Sequence, residues 1–270
     1  MQARLTRSQF GAIRDLLYNH SGINLQPGKE ELVKARLGKR LRMLGLADFA
    51  AYLNLLRDDA GGHELSLMID ILTTNKTSFF REQPHYDLLR DRLLPDWRRR
   101  GGSLRIWSAG CSTGEEPYSL AIQLLAAAPD AAGRDARILA TDISPTTLAV
   151  MREAVYPAEG LADVPGEWRR RYFEKLAGDR EGCYRVRSEV RDLVSQARLN
   201  LMDTWPMGGP FDMIFCRNVM IYFDAPTRER LVRRFMALLR PAGHLFVGHA
   251  ESLNTLRGEL TYVQPAVYRR

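Results

Sequence analysis

The sequence predicts an α/β fold, with a doubly wound, mostly parallel sheet following a small all-α N-terminal segment. Three observations predict it. Residues 1 to about 75 carry apolar side chains at helical spacing only. From about residue 103, short apolar runs alternate with amphipathic helical patterns, the grammar of a parallel sheet covered on both faces. Between the first such run and its helix lies a small-residue loop, Gly110-Cys111-Ser112-Thr113-Gly114, at the strand end where open sheets bind ligands.

The elements follow in order. Thr6 reads as an N-cap for a helix carrying Phe10, Ile13, Leu16 and Leu17. Pro27-Gly28 opens a second helix that runs to about Leu44 and stops at Gly45. A third covers 47–57 and a fourth 64–72, with Ala60-Gly61-Gly62 as the break between them. The sheet grammar predicts a strand at 104–108, a helix at 116–128, a strand at 137–141 and a helix from Ser144-Pro145 to about 154. Residues 211–216 read as a buried strand, and 227–239 as a helix closed by Pro241-Ala242-Gly243. Residues 244–248 form a further strand and 261–268 a single last one. Between 172 and about 198 the rhythm breaks into short alternating segments around a polar glycine loop, which predicts an antiparallel insert. The division expected is therefore 1–75 and 76–270, with the insert inside the second part.

Composition bounds the function classes. At 270 residues, 45% apolar and 26% charged, the chain has the make-up of an ordinary globular protein with a full core. No apolar run approaches the ~20 residues of a membrane span, and the first residues lack a secretory-type apolar run. Cys111, Cys183 and Cys216 are far apart and form no CxxC pair, so no zinc pattern is expected, and a cytoplasmic location is. The net charge of +7 suits an anionic partner, either nucleic acid or a protein surface.

The glycine loop carries the ligand argument. Gly110 and Gly114 let backbone approach a ligand, and Ser112 and Thr113 add hydroxyls. Glu115 and Glu116 open the next helix, where its dipole favours negative charge. Two acids there would repel a pyrophosphate, which steers the reading from NAD towards S-adenosylmethionine. Asp142, 28 residues past Gly114 at the end of the second strand, can accept both hydroxyls of a ribose. The alternative role for Asp142 is to cap the helix starting near Pro145. Asn75, Thr77 and Arg81 stand between the helical segment and the sheet, and Arg81 offers a fork for a carboxylate. Arg217, Asn218 and Tyr222 follow the buried strand on its cleft side, and Asn200-Leu201 occupy an equivalent edge, suited to an adenine. Phe79 and Phe80 read equally well as plain core.

The runs TTNKTSFFRE, WSAGCSTGEEPYSLAI, ATDIS, FDMIFCRNVMIYFD and GHLFVGHAESL closely resemble the chemoreceptor glutamate O-methyltransferases of bacterial chemotaxis, the CheR family. The resemblance implies an S-adenosylmethionine-dependent methyltransferase fold with an N-terminal helical domain and an inserted β-subdomain. It implies cofactor contacts from Asn75, Thr77, Arg81, Glu115, Asp142, Asn200, Leu201, Arg217 and Asn218, beside Gly110 of the loop, with S-adenosylhomocysteine as product. Tyr222 is the candidate for shaping the methyl-transfer pocket.

Such chemistry needs no base, because free glutamate with a pKa near ~4.3 is already a carboxylate at neutral pH. His63, His85, His244 and His249 are accordingly expected to be structural or surface residues. The basic face Lys34, Arg36, Lys39, Arg40 and Arg42 reads as a solvated helix face or as a dock for an acidic receptor coiled coil. The resemblance implies the dock. It further implies a receptor C-terminal peptide on the β-subdomain and a regulatory protein as partners, although Leu176 stands where peptide-tethering relatives tend to have glycine. Nucleic acid is the weaker partner, since the basic stretch has no interleaved aromatics for stacking on bases. Rival readings are a methyltransferase of this fold acting on RNA or a small molecule, and a binding-only adaptor.

Overall fold

The computed structural model describes residues 4–59, 62–253 and 258–270. Ala60 and Gly61 of the expected helix break lie outside the described residues.

Helices α1 (Arg7–Ser21), α2 (Glu30–Met43), α3 (Phe49–Asp58) and α4 (His63–Leu72) form the N-terminal bundle. Thr6 caps α1 in a capping box with Gln9, and Asp48 caps α3 through Ala51 N–H. Their apolar stripes meet in one core that includes Ile13, Leu17, Val33, Leu37, Phe49, Tyr52 and Met68.

The chain then crosses to the sheet. Pattern alone assigns no element between Glu82 and Ser103, yet the backbone is helical there: α5 (Gln83–Leu88), a π-helical turn (Leu89–Leu93) and α6 (Leu94–Arg100). Pro84 and Pro95 sit in the first turns of α5 and α6, where the missing N–H costs nothing. The wide turn between them shifts the period and hides the helix from a 3.6-residue template.

Among the described residues the main sheet has strand order β6-β2-β1-β7-β8-β10-β9. Its strands are β1 (Leu104–Ala109), β2 (Ala136–Asp142), β6 (Val194–Arg198), β7 (Phe211–Cys216), β8 (Leu239–Val247), β9 (Thr261–Gln264) and β10 (Val267–Arg269). The pairs β6·β2, β2·β1, β1·β7 and β7·β8 are parallel, and β8·β10·β9 are antiparallel. Helices α7 (Glu115–Ala127), α8 (Pro145–Glu153) and α11 (Ala225–Leu238) follow strands β1, β2 and β7. The sheet winds outward in opposite directions from β1 and β7, so the switch point, and with it the ligand crevice, lies above those two strands.

Three expectations are corrected. The segment 194–198 belongs to the main sheet as its parallel edge, not to the insert. The small antiparallel sheet, ordered β3-β5-β4, instead recruits β3 (Val155–Pro157) to join β4 (Phe173–Lys175) and β5 (Cys183–Val186). An alternating pattern specifies an exposed edge strand as readily as an antiparallel one, which is why the sequence misplaces it. Pro241-Ala242-Gly243 does not end a helix but bulges within β8, with Ala242 at φ 62 and the register slipping opposite Asp212. The single last strand is a hairpin, turned at Ala266 with φ 62 where no glycine announces it.

Phe79 and Phe80 join the core of the sheet domain rather than that of the bundle. Phe79 packs edge-on against Tyr156 and Phe173 of the small sheet, 5.0 and 5.3 Å between centroids. No described helix is long and apolar enough to cross a membrane.

Candidate active site

The crevice above β1 and β7 is a cleft of about 930 Å³, closed on one side by α1 and by the strap at 73–82. Asn75, Thr77, Arg81, Gly110, Asp142, Asn200, Leu201, Arg217, Asn218 and Tyr222 all line it, so residues spread over 148 positions of sequence converge on one cavity.

Gly110 lines the cleft as expected and Gly114 does not, and both are packed closely on their other side. Gly110 has φ +92, and a Cβ there would meet Val219 Cγ2 at 2.4 Å. Gly114 has φ +100, and a Cβ would lie 2.6 Å from Met151 Cγ and 2.9 Å from the Tyr156 hydroxyl. The loop is therefore packed against its own protein, and its left-handed residues let it turn tightly beside the cleft. Gly114→Ala is expected to destabilise the chain by about 1–3 kcal/mol through strain and overpacking. A melting temperature within error of the parent would show that the loop yields freely.

Asp142 is almost fully buried. Its Oδ2 accepts the Ser112 N–H at 2.8 Å and its Oδ1 the Ser144 N–H at 2.9 Å. The cap of α8 is Ser144, whose hydroxyl accepts from Thr147 N–H, so capping does not explain Asp142. Burial pushes the Asp142 carboxyl up from its ordinary range, and the two backbone N–H groups pull it back. The bonds that orient this carboxylate also fix the glycine loop to the end of β2.

Of the two acids opening α7, Glu116 lines the cleft and Glu115 does not. Glu115 Oε2 accepts the Thr113 hydroxyl at 2.6 Å, away from the cavity. Adjacent helical residues point about 100° apart, so only one of the pair faces the crevice. Glu116 Oε1 accepts the Ser108 hydroxyl at 2.7 Å, and its Oε2 lies 3.1 Å from Arg217 Nη1.

Arg217, with its side chain 2% exposed, bridges Glu116 and Glu82, 3.1 Å from each, and also donates to the Arg81 carbonyl. Burial opposes charge on Glu82, but Arg217 and the His249 N–H outweigh it and hold that carboxyl below its usual range. Burial likewise disfavours the guanidinium, yet the two carboxylates keep it charged. Glu251 completes the frame. Its carboxylate accepts N–H bonds from Asn218 at 2.9 Å, Gly248 at 2.5 Å and Ile221 at 3.0 Å, fixing the loop after β7 with Asn218 at φ 59. Glu82 and Glu251 have no role in the sequence pattern, and Glu116 is named there only beside Glu115 as an acid opening its helix. Each stands inside a recognised run, but only the fold reveals partners up to 167 residues away.

Among its described lining residues the cleft has neither cysteine nor histidine. Burial pushes the Cys111 and Cys216 thiols well up, away from the thiolate. His85 is driven down to about 3, chiefly by burial and then by Arg217, so it is neutral at physiological pH.

The basic face of α2 divides. Arg36 Nη1 donates to the carbonyls of Leu72 and Thr73, both at 2.8 Å, and its Nη2 to the Thr74 hydroxyl at 3.0 Å. Arg40 is paired with buried Glu64, at 2.6 and 3.0 Å, and Tyr52 donates to the same carboxylate. These two cations hold the bundle together and are not free for a partner, which corrects the expected set. Positions 36 and 40 flank the buried stripe Val33, Leu37 and Leu41, so their side chains reach α4 instead of solvent. Lys39 and Arg42 are exposed, and Lys34 is partly so, 3.4 Å from Glu31.

The donor set suits one kind of ligand. Carboxylates at Asp142 and Glu116 match ribose hydroxyls and a cationic centre, and Arg81 matches a carboxylate. Residues 75–268 match the family model "CheR methyltransferase, SAM binding domain", and residues 8–73 match "CheR methyltransferase, all-alpha domain". The chain is 44% identical to the "Chemotaxis protein methyltransferase" of Escherichia coli (strain K12), over 96% of this chain and 91% of that protein. It is 45% identical to "Chemotaxis protein methyltransferase 2" of Pseudomonas aeruginosa, over 92% and 87%. It is 42% identical to the "Probable chemotaxis protein methyltransferase" of Rhizobium etli, over 92% of each. With both of its regions matched and its relatives aligned along nearly their whole length, the chain belongs to the CheR methyltransferase family, and its cofactor is S-adenosylmethionine.

Proposed function

We propose that the chain methylates glutamate side chains on the cytoplasmic part of chemoreceptors, forming glutamate methyl esters in chemotaxis adaptation or a related chemosensory pathway, and that it works in the cytoplasm. The observation that carries this reading is a cleft that offers Asp142, Glu116 and Arg81 to the cofactor and has, among its described lining residues, neither histidine nor cysteine. S-adenosylmethionine supplies an electrophilic methyl group on a sulfonium. The protein's task is to hold that group in line with an acceptor that is already anionic.

Asp142 is assigned to the ribose, Arg81 to the methionine carboxylate, and Glu116 to the cationic end. Asn200 and Leu201 are assigned to the adenine edge. Asn75 and Thr77 close the strap over the crevice and exclude water. Tyr222 lines the same cavity, with its hydroxyl 3.4 Å from the Thr74 carbonyl, and shapes the acceptor side.

The deciding experiment transfers labelled methyl groups to a receptor cytoplasmic fragment and then raises the pH. Release of labelled methanol is expected. Base-stable product would mean N-methylation, and transfer to RNA instead of the fragment would mean the other substrate class.

The exposed cations of α2 are assigned to the acidic receptor surface. Lys39→Glu with Arg42→Glu is expected to raise the receptor KM several-fold at low salt and to leave cofactor affinity unchanged. The effect should fade as salt screens charges over ~8–10 Å. A KM equal to the parent's at low salt would return these residues to a solvated face.

A second anchor is proposed on the small sheet. β4 is an edge strand, and Arg171, Arg185, Arg187 and Arg191 outnumber Glu174 and Glu189 along a neighbouring open cleft. An acidic peptide with aromatic side chains would add as a strand there. Titration with such a pentapeptide tests it, and binding weaker than about 1 mM would remove the anchor.

A further inference from the structure

His85 has no exposed surface, yet neither of its ring nitrogens makes a hydrogen bond of normal geometry, although the Pro265 backbone is near enough to favour its proton. Buried polar atoms in folded proteins are nearly always paired, so an orphaned one calls for a physical reason. The surroundings of this ring supply one. Its Nδ1 lies 3.6 Å from Glu82 Oε2. The His249 ring stands 5.4 Å away between centroids. One donor atom from each of Glu82, His85 and His249 falls within 4.8 Å of the others. The three come from the start of α5 and from the loop after β8, and the sequence gap of 164 residues between the histidines hid the group from any reading of spacing.

Two imidazoles and one carboxylate make a donor set of the kind that binds Zn²⁺ with a fourth position open. Bonds of ~2.0–2.1 Å place tetrahedral donors ~3.3 Å apart. The Glu82–His85 separation, 3.6 Å, is already close to that, and His249 is exposed, with a donor atom within 4.8 Å of the other two. Glu82 Oε2 is held by Arg217 at 3.1 and 3.2 Å, while its Oε1 takes the longer contacts, 3.3 Å from the His249 N–H and 3.4 Å from Asn218 Nδ2. The oxygen nearest His85 is the one shared with Arg217, so an ion that takes it displaces the guanidinium. The buried side of the group fixes His85, and the exposed side gives an ion a way in.

We propose that Glu82, His85 and His249 form a binding site for a divalent transition metal of the Zn²⁺ class, and that occupying it draws Glu82 from Arg217 and slows methyl transfer. Arg217 lines the cofactor cleft, so loss of one of its two carboxylate partners reaches the site directly. The inhibition rests on the methyl-transfer reading; the binding does not.

The test uses the full chain without a histidine tag, stripped by chelator. Zn²⁺ is titrated in competition with a chromophoric chelator, and Co²⁺ is added separately for its visible absorption. One tight equivalent and a tetrahedral Co²⁺ spectrum are expected. His249→Ala, at an exposed position, should fold normally and weaken Zn²⁺ binding by at least the ~10- to 100-fold that loss of an outer-shell partner costs. His85→Phe should abolish binding while filling the same buried space, whereas His63→Ala should change nothing. Methyl transfer by the parent should fall with added Zn²⁺ and recover with chelator, while His249→Ala transfers at the parent's rate and ignores the metal. A Kd weaker than about 100 µM, or one unmoved by His249→Ala, overturns the site. Tight binding without any effect on transfer overturns the inhibition alone.

Discussion

Asp142→Ala is expected to weaken S-adenosylmethionine binding by roughly 2–4 kcal/mol, which is about 30- to 1,000-fold in Kd. The carboxylate loses two roles in one substitution. It is the assigned acceptor for two ribose hydroxyls, each a charge-assisted bond of about 1.5–3 kcal/mol, counted with allowance for non-additivity. It is also the acceptor that fastens Ser112 N–H to the end of β2, so the glycine loop beside the cleft loses a tether. Asp142→Asn should fall between parent and alanine, since one of its two oriented acceptors becomes a donor facing an N–H group. Isothermal calorimetry on folded variants decides. Affinity unchanged in Asp142→Ala would take the ribose away from this residue and leave it a loop anchor.

The largest stability effect is expected at Arg217. Arg217→Met keeps length and apolar bulk but strands two carboxylates, Glu82 and Glu116, whose side chains are each only 12% exposed. Removing one partner from a buried ionic group costs about 3–5 kcal/mol, because the remaining charges stay desolvated and uncompensated. For a chain of this size that is roughly 6–20 °C in Tm. Adding Glu82→Gln and Glu116→Gln to Arg217→Met should recover much of the loss, since a neutral triad has no stranded charge. Calorimetric melting of the single and triple variants tests both statements. A triple variant no more stable than Arg217→Met would show that shape, and not charge, holds the group together.

The parts of the fold legible in the sequence are those written as local pattern. The alternation after residue 103, the buried run 211–216 and the glycine loop are each read from a dozen residues or fewer. Thr6 caps its helix by accepting the N–H of Gln9, three residues on and well inside any window. What escapes is decided by distant partners or by backbone that departs from a standard period. The π-helical turn at 89–93 shifts the phase between α5 and α6, so a real helical stretch shows no clean stripe. β6 alternates like an insert strand, and only its register with β2 assigns it to the main sheet. Within the site, ten of the expected lining residues converge, because the loops that carry them follow recognisable strands. Glu115 and Glu116 are indistinguishable in sequence, and the rotation of α7 separates them. Arg36 and Arg40 look like Lys39 and Arg42 until α4 packs against two of the four. Glu82 and Glu251 gain their roles from backbone and side-chain groups 30 to 167 residues away.

Arg36 also joins two parts of the molecule that would otherwise answer to different ligands. Its guanidinium grips the carbonyls that end α4 and the hydroxyl of Thr74, one residue before Asn75 at the wall of the cleft. Any displacement of α2 must therefore break these three bonds or carry residues 72–74 with it. Were the exposed face of α2 to take a partner, linkage would make the coupling symmetric: the factor by which that partner altered cofactor affinity would equal the factor by which cofactor altered the partner's.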